Sequence, residues 1–324
     1  VPPPPDRVAD ASPMAEPGGV HKTTRVVSAH ISVAKRLAEI WRSRELLTYL
    51  VRTEIKVKYK NSFLGLLWSM LSPAMTLVVY TLVFSVFLKN GIPHFVIFLF
   101  SGLLLWNFFS TAVQTATGVV VNNAGLVKKV SFPREILALA AVGSAGVFMF
   151  FQVCVMAIFM AALQLAPDWS LLYLLLVALI PTVVFASALA IFLASVNVYM
   201  RDTQHLVEVI VGAAWFWACP IVYSYQATVA PKLHHHHLTW LYFLNPMTPL
   251  VMTFQRVLYN FPGLVTLTTK PPPGGQPTRE LLLPPWPATT YIWADALVLG
   301  VSVFMFYGAM VVFGRLAGNF AEEL

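Results

Sequence analysis

Few side chains in this 324-residue chain are equipped for chemistry, and most of those lie between or at the ends of apolar runs. The most informative group is GLVKKVSFPRE, Gly125 to Glu135, which carries Lys128, Lys129 and Arg134 between two long apolar runs. A short basic segment between two apolar runs lies on a membrane surface and faces a soluble partner. Acidic groups inside the apolar runs reduce to Glu208 and Asp295, each near an end of its run. A charge at the bilayer centre costs roughly 2.5–3.5 kcal/mol, so a central one is usually functional. None is central here, which weakens the reading of a proton- or sodium-coupled carrier. The run His234–His237 looks like a metal site, but adjacent histidines in a loop do not converge on one ion without special backbone geometry, and it reads as a solvated run. His94 and His205 flank spans and read as topological. Cys154 and Cys219 fall inside apolar runs and read as buried small hydrophobes. There is no G-x-x-x-x-G-K-[ST] loop and no Asp-x-Asp, His-Glu-x-x-His or Gly-x-Ser-x-Gly pattern. The sequence therefore predicts no catalytic residue, no metal ligand and no cofactor bound by this chain.

The elements that must position the basic segment are membrane helices. Hydrophobic residues make up 58% of the chain and charged residues 11%, with a mean hydropathy of +0.71. A soluble domain has about 45–50% and about 25%. Six apolar runs are long enough for spans that need about 20 residues each: about 66–88, 95–117, 136–163, 171–196, 206–222 and 291–313. The expected fold class is an all-α polytopic membrane protein, because lipid cannot satisfy exposed backbone groups and the runs are too continuous for barrel strands. With both termini in the cytoplasm, sixteen Lys and Arg lie inside and five outside: Lys89, Lys232, Arg256, Lys270 and Arg279. The positive-inside rule favours that orientation. The net charge of +7 then reflects the membrane, and nucleic acid is not an expected partner.

Two regions precede the transmembrane domain of 63–324, and an outer segment interrupts it. Residues 1–32 are rich in Pro, Ala and Ser, carry no signal-peptide pattern and predict a disordered cytoplasmic tail. Residues 33–62 hold an amphipathic helix in which Leu46, Leu47, Leu50, Val51 and Val57 recur at helical spacing after a Ser43 N-cap. Its Arg52, Lys56, Lys58 and Lys60 would meet phospholipid headgroups, as an interfacial helix does. The outer segment 223–290 begins with pieces too short to span, around Leu238–Leu244 and Thr248–Tyr259, and ends in a Pro- and Gly-rich loop expected to be extended. In the second basic turn, NVYMRD, Asn197 is expected to stop one helix and Asp202 to cap the next. Gly143, Gly146, Ala186, Ala190 and Ala194 read as close helix contacts.

Seven segments carry a resemblance. They are KYKNSFLGLLWSMLSP (Lys58–Pro73), FSGLLLWNFF (Phe100–Phe109), NAGLVKKVSFPRE (Asn123–Glu135), NVYMRD (Asn197–Asp202), CPIVYS (Cys219–Ser224), NPMTP (Asn245–Pro249) and RLAGNFAEEL (Arg315–Leu324). In this order they resemble the ABC-2 type transport permeases of the polysaccharide-export class, which move lipid-linked O-antigen, teichoic acid or galactan. The resemblance implies a homodimer in the bacterial inner membrane. Two copies of a separate ATPase subunit, which holds ATP and Mg, dock beneath it. Asn123, Gly125, Leu126, Val127, Lys128 and Lys129 map onto the coupling helix that contacts the ATPase. The helix with Arg44, Arg52, Lys56 and Lys60 maps onto the interfacial gate helix, and the pieces around Asn245–Tyr259 map onto outer gate helices. Trp106, Phe108, Phe109, Trp215, Trp217 and Tyr223 are candidates for lining a glycan path. The substrate expected is a polyprenyl-diphosphate-linked polysaccharide; a drug or lipid exporter is the alternative. A secondary carrier and a polyprenyl-phosphate enzyme rank below both.

Overall fold

A computed structural model of the chain describes residues 33–87, 94–235, 238–259, 266–268 and 279–324. The expected tail, two residues of the histidine run and most of the Pro- and Gly-rich loop lie outside these. In chain order the helices are α1 (Val33–Arg42), α2 (Arg44–Lys58), α3 (Trp68–Thr81), α4 (Phe95–Asn122), α5 (Ala124–Lys129), α6 (Glu135–Ala162) and α7 (Tyr173–Tyr199). There follow α8 (Asp202–Val209), α9 (Trp215–Trp217), α10 (Ala230–His235), α11 (Thr239–Phe243), α12 (Met247–Leu258), α13 (Ala288–Leu316) and α14 (Phe320–Glu323).

Among the described residues four helices, α4, α6, α7 and α13, are long and apolar enough to cross a bilayer. Each has 27 residues or more, roughly 40 Å of helix. The chain is a multi-pass membrane protein by these helices. The first and fifth expected spans are broken. α3 has Pro73 inside it and passes at Leu82 into a π-helical turn, Leu82–Phe87. α8 passes into a second π-turn, Ile210–Ala214, before the single turn of α9. Proline removes a backbone donor and crowds the preceding turn, and Pro220 closes the fifth run by pushing Cys219 out of helical geometry. A further departure from all-α lies in the outer segment. The strands β1 (Thr266–Thr268) and β2 (Arg279–Leu281) pair antiparallel, with Thr266 opposite Leu281.

Helix α4 is the centre of the fold. In its most apolar stretch 83% of the residues are buried, against 28% in α6 and in α13. It packs on α6, α7, α12, α8 and α3, while α13 packs mainly on α7. Ala186, Ala190 and Ala194 are fully buried and let α7 approach its neighbours closely. Gly143 has a different use: a Cβ there would lie 2.9 Å from Val51 Cγ2, so it admits α2 onto α6. At the basic end, the Asn197 side chain does not stop α7. It is buried within the helix, and its Oδ1 accepts the Gln204 N–H at 3.2 Å, doing the capping expected of Asp202. Ser43 stands at the N-cap of α2 without a side-chain bond.

At the opposite end the short helices α11 and α12 occupy the expected places, and Asn245 pins them. Its Oδ1 accepts from Trp215 Nε1 at 2.9 Å and from the Met247 N–H at 3.1 Å. Its Nδ2 reaches the Ala218 carbonyl and Cys219 Sγ, each at 3.3 Å. The second bond is an Asx-turn that starts α12. Substituting Asn245→Ala leaves the Trp215 indole N–H unpaired and is expected to destabilise the purified protein by about 1–3 kcal/mol. Thermal unfolding in detergent measures the loss.

Candidate functional site

The Gly125–Glu135 segment builds a small protrusion held from behind. Helix α5 follows α4 after one residue, because Asn123 leaves the helical region and its Nδ2 turns back onto the Val119 carbonyl at 2.8 Å. The Leu126 and Val127 N–H groups both bond the Asn123 carbonyl. Val127 is buried and Leu126 packs on the core, whereas Gly125, Lys128 and Lys129 are exposed. A Cβ at Gly125 would meet nothing within 4 Å. The six expected contact residues thus divide into an inward anchor, Asn123, Leu126 and Val127, and an outward face, Gly125, Lys128 and Lys129.

The chain's last helix braces this segment. α14 packs on α5 and α7. Arg134 Nη1 donates to the Ala317 carbonyl, and its guanidinium lies 5.7 Å from the Phe320 ring centroid. Tyr199 Oη donates to the Leu316 carbonyl at 2.9 Å. Glu135, expected only to complement the α6 dipole, does more. Its Oε1 accepts from Arg36 Nη1 at 2.6 Å, with both side chains largely buried. Arg36 Nη2 also reaches the Gly314 carbonyl at 3.4 Å. A Cβ at Gly314 would lie 2.6 Å from Arg36 Cζ, so the guanidinium would have to shift to admit one. One guanidinium therefore joins α1, the start of α6 and the end of α13.

Helix α2 lies along α6. Leu46, Leu47 and Leu50 pack on the core, and Arg44, Arg52, Lys56 and Lys60 are exposed as an interfacial helix requires. Lys58 departs from that face: its Nζ lies 4.0 Å from the Phe148 ring centroid, a cation–π contact. Tyr59 meets the same ring edge-on at 6.1 Å. Glu54, one turn before Lys58, faces Ser144 of α6. Burial raises the Glu54 pKa above the ordinary carboxylate value, while the Ser144 hydroxyl and Lys58 oppose the rise.

The six aromatic candidates separate into two sets. Trp106, Phe108 and Phe109 are buried within the chain. Phe109 stacks on Phe185 with centroids 5.4 Å apart and planes 4° apart, and Trp215 meets both edge-on. These three side chains of α4 have no open face and form the scaffold between α4, α7 and the fifth run. Trp217 is 62% exposed. The Tyr223 hydroxyl donates to the Trp217 carbonyl at 2.9 Å and pairs with Tyr242 Oη at 3.1 Å. Among the described residues no group of three metal-ligating side chains converges.

Sequence reasoning missed Arg36 and Asn245. Arg36 sits 99 residues from its partner, and no periodicity carries that pairing. Asn245 carried a local signal, as an Asn-Pro turn, but not its bond to Trp215.

Two outcomes follow from these contacts. Glu135→Ala leaves the Arg36 guanidinium buried without its partner and is expected to cost about 3–5 kcal/mol, read as reduced thermal stability of the detergent-solubilised chain. Arg36→Met/Glu135→Leu is expected to recover much of that loss. For Glu54 the sign is set by its raised pKa: folding favours the protonated acid. Its contribution to α2 docking is complete on the acid side of the ordinary carboxylate range and fades as pH rises through the raised value. Limited proteolysis of the α2–α3 connection is therefore expected to speed up across that window in the native chain. It is expected to stay flat in Glu54→Gln.

Residues 45–259 match the family model described as ABC-2 type transporter. The O-antigen export system permease protein RfbA of Myxococcus xanthus is 34% identical over 221 residues, which cover 68% of this chain and 83% of that protein. The protein of the same name from Klebsiella pneumoniae is 25% identical over 216 residues, 67% of this chain and 81% of that one. The matched region takes in the amphipathic helix, α5, the Asn245 turn and all the long helices except α13, and the chain belongs to the ABC-2 type transporter family.

Proposed function

We propose that this chain is the membrane permease subunit of an ATP-driven exporter that carries a polyprenyl-diphosphate-linked polysaccharide from the cytoplasm across the inner membrane. The observation that carries the reading is α5, a six-residue helix that shows Gly125, Lys128 and Lys129 to solvent while Val127 and α14 hold it from behind. A protein with this protrusion and no phosphate-binding loop takes its energy from a partner. Two ATPase subunits bind ATP and Mg and dock on the α5 faces of two permease copies. Both termini and the basic ends of the long helices face the cytoplasm, consistent with the distribution of Lys and Arg. The first and fifth runs complete a set of six spans.

The path runs between the two copies. Support comes from the outward sides of α3 and of the α8–α9 run, which stay uncovered in one protomer: Trp68, Met75, Val78, Leu206, Val209 and Trp217 are all exposed. These faces are open to a second copy, as the exposed apolar faces of α6 and α13 are open to lipid. The lipid-linked headgroup approaches along α2, where Arg44, Arg52, Lys56 and Lys60 offer positive charge. Trp217 and Tyr223 then meet the glycan, since sugars stack on aromatic faces, and Trp106, Phe108, Phe109 and Trp215 set their position. O-antigen export, named for the relatives, is the substrate class favoured.

Lys128→Glu/Lys129→Glu reverses the charge of the docking face without touching its buried anchor. The permease is expected to fold and insert normally, while co-purification of the ATPase subunit and glycan export in reconstituted vesicles fall by about tenfold or more. Full assembly and export in the double variant would remove α5 from the energy-coupling role.

A further inference from the structure

The outward faces of the long helices are not alike. On α6 the exposed residues include Phe150, Val153 and Ile158, and on α13 they include Trp293, Leu297 and Phe304. These are apolar, as contact with lipid requires. Helix α4 is mostly core, but one arc of its half near α5 is open. That arc holds Asn107, Ser110, Thr111, Gln114, Thr115 and Asn122, each half-buried or exposed, while residues on the opposite side of the same turns are buried. At 100° per residue the six fall within about 140° of the helix circumference, and they extend over roughly 22 Å of axis. The arc is neutral: it carries amides and hydroxyls and no charge.

Neighbouring elements extend it. Asn107 Nδ2 donates to Gln152 Oε1 of α6 at 3.2 Å, leaving Asn107 Oδ1 and Gln152 Nε2 for another partner. At Gly118 a Cβ would lie 2.9 Å from Gln204 Oε1, so the Gln204 amide of α8 lies across α4 there. Gln114 Nε2 lies beside Gly212 in the π-turn, and Gly212, Ala213 and Ala214 are small and exposed. The floor of the arc is therefore polar, and the wall on the α8 side is low.

A polar face of this length facing lipid would leave amides unsatisfied at a cost of several kcal/mol each. We propose that it faces the translocation path and forms a hydrogen-bonding track for the sugar hydroxyls of the glycan chain. This rests on the exporter reading and deepens it by assigning the glycan's contacts. Amides and hydroxyls both donate and accept, as sugar hydroxyls do. The arc of α4 itself is uncharged, and the carboxylate at its edge, Glu208 beside Gln204 Nε2 at 3.4 Å, disfavours the diphosphate headgroup, which the basic residues of α2 meet.

The test is the triple variant Thr111→Val/Gln114→Leu/Thr115→Val in the complete permease–ATPase complex, reconstituted in vesicles with lipid-linked glycans of graded length. Assembly and ATP hydrolysis are expected to persist. Export is expected to fall about tenfold for long chains and little for a lipid carrying one or two sugars. Undiminished export of long chains would overturn the track. So would loss of the permease dimer in native mass spectrometry, which would make the arc a seam between two copies. As a second measurement, Thr115→Cys in a background with Cys154→Ser and Cys219→Ala is expected to react with a water-soluble maleimide and to be shielded when a glycan is stalled in the complex. A thiol unreactive in membranes would also overturn the proposal. Failure of the unmodified complex to export any glycan would instead sink the exporter reading itself.

Discussion

The ion pair between Arg36 and Glu135 is the contact on which the basic end of the molecule depends. Taking two charges out of water costs several kcal/mol per ion, and only close geometry offsets it. At 2.6 Å, with the Gly314 carbonyl as a further acceptor, the pair has that geometry. Its members come from three distant stretches: the helix that precedes the first apolar run, the residue that starts α6, and the last turn of α13. Glu135 follows α5 by six residues, and Arg134 beside it is held by the C-terminal helix through Ala317 and Phe320. The position of α5 is thus set from both ends of the chain, although α5 itself makes few contacts.

This bracing divides the protomer by stiffness. α4, α6 and α13 are continuous helices whose backbone groups are bonded within each segment, and α7 is continuous with Pro181 inside it. α3 and α8 continue into π-turns, where the regular ladder is interrupted and the axis is free to adjust. On the proposed reading, a displacement delivered at α5 reaches α4 and α6 directly and α13 through Arg36. The irregular runs beside the path are then the segments that yield, and the Asn245 bonds decide how far the opposite end follows.

Hydropathy made the membrane class and the four long helices legible, because burial in lipid or in a helical core demands the same apolar side chains. For the same reason it did not distinguish a regular span from one broken by a π-turn: the run 206–222 is as apolar as a span, yet Gly212, Ala213 and Ala214 sit in a π-turn. It also did not tell a core aromatic from an exposed one. Phe109 and Trp217 look equivalent as letters; only the stack on Phe185 separates them. The basic segment was legible as a protrusion because charge between two spans has few places to go. Its anchor was legible in part, through Val127 and Leu126, but Arg36 was read as one of many basic residues on the cytoplasmic side. Its meaning depends on a partner that local sequence does not show. The strands β1 and β2 were hidden by the Pro- and Gly-rich composition around them.

Helix α4 has to satisfy two opposed demands, and its sequence divides them by face. One side carries Phe98, Leu105, Phe109, Ala112, Val113 and Ala116, all nearly inaccessible, and fixes the helix in the centre of the protomer. The other carries amides and hydroxyls at helical spacing. A conduit for a long polymer needs sites that bind well enough to replace water and weakly enough to release each unit as the next arrives. Neutral hydrogen bonds, individually worth about 0.5–1.5 kcal/mol net, meet that condition where charge pairs would hold the chain back. Placing such sites on the most buried of the long helices holds their spacing through packing on α6, α7 and α12. This is the arrangement expected if opening is the work of α3 and α8 and guidance is the work of α4.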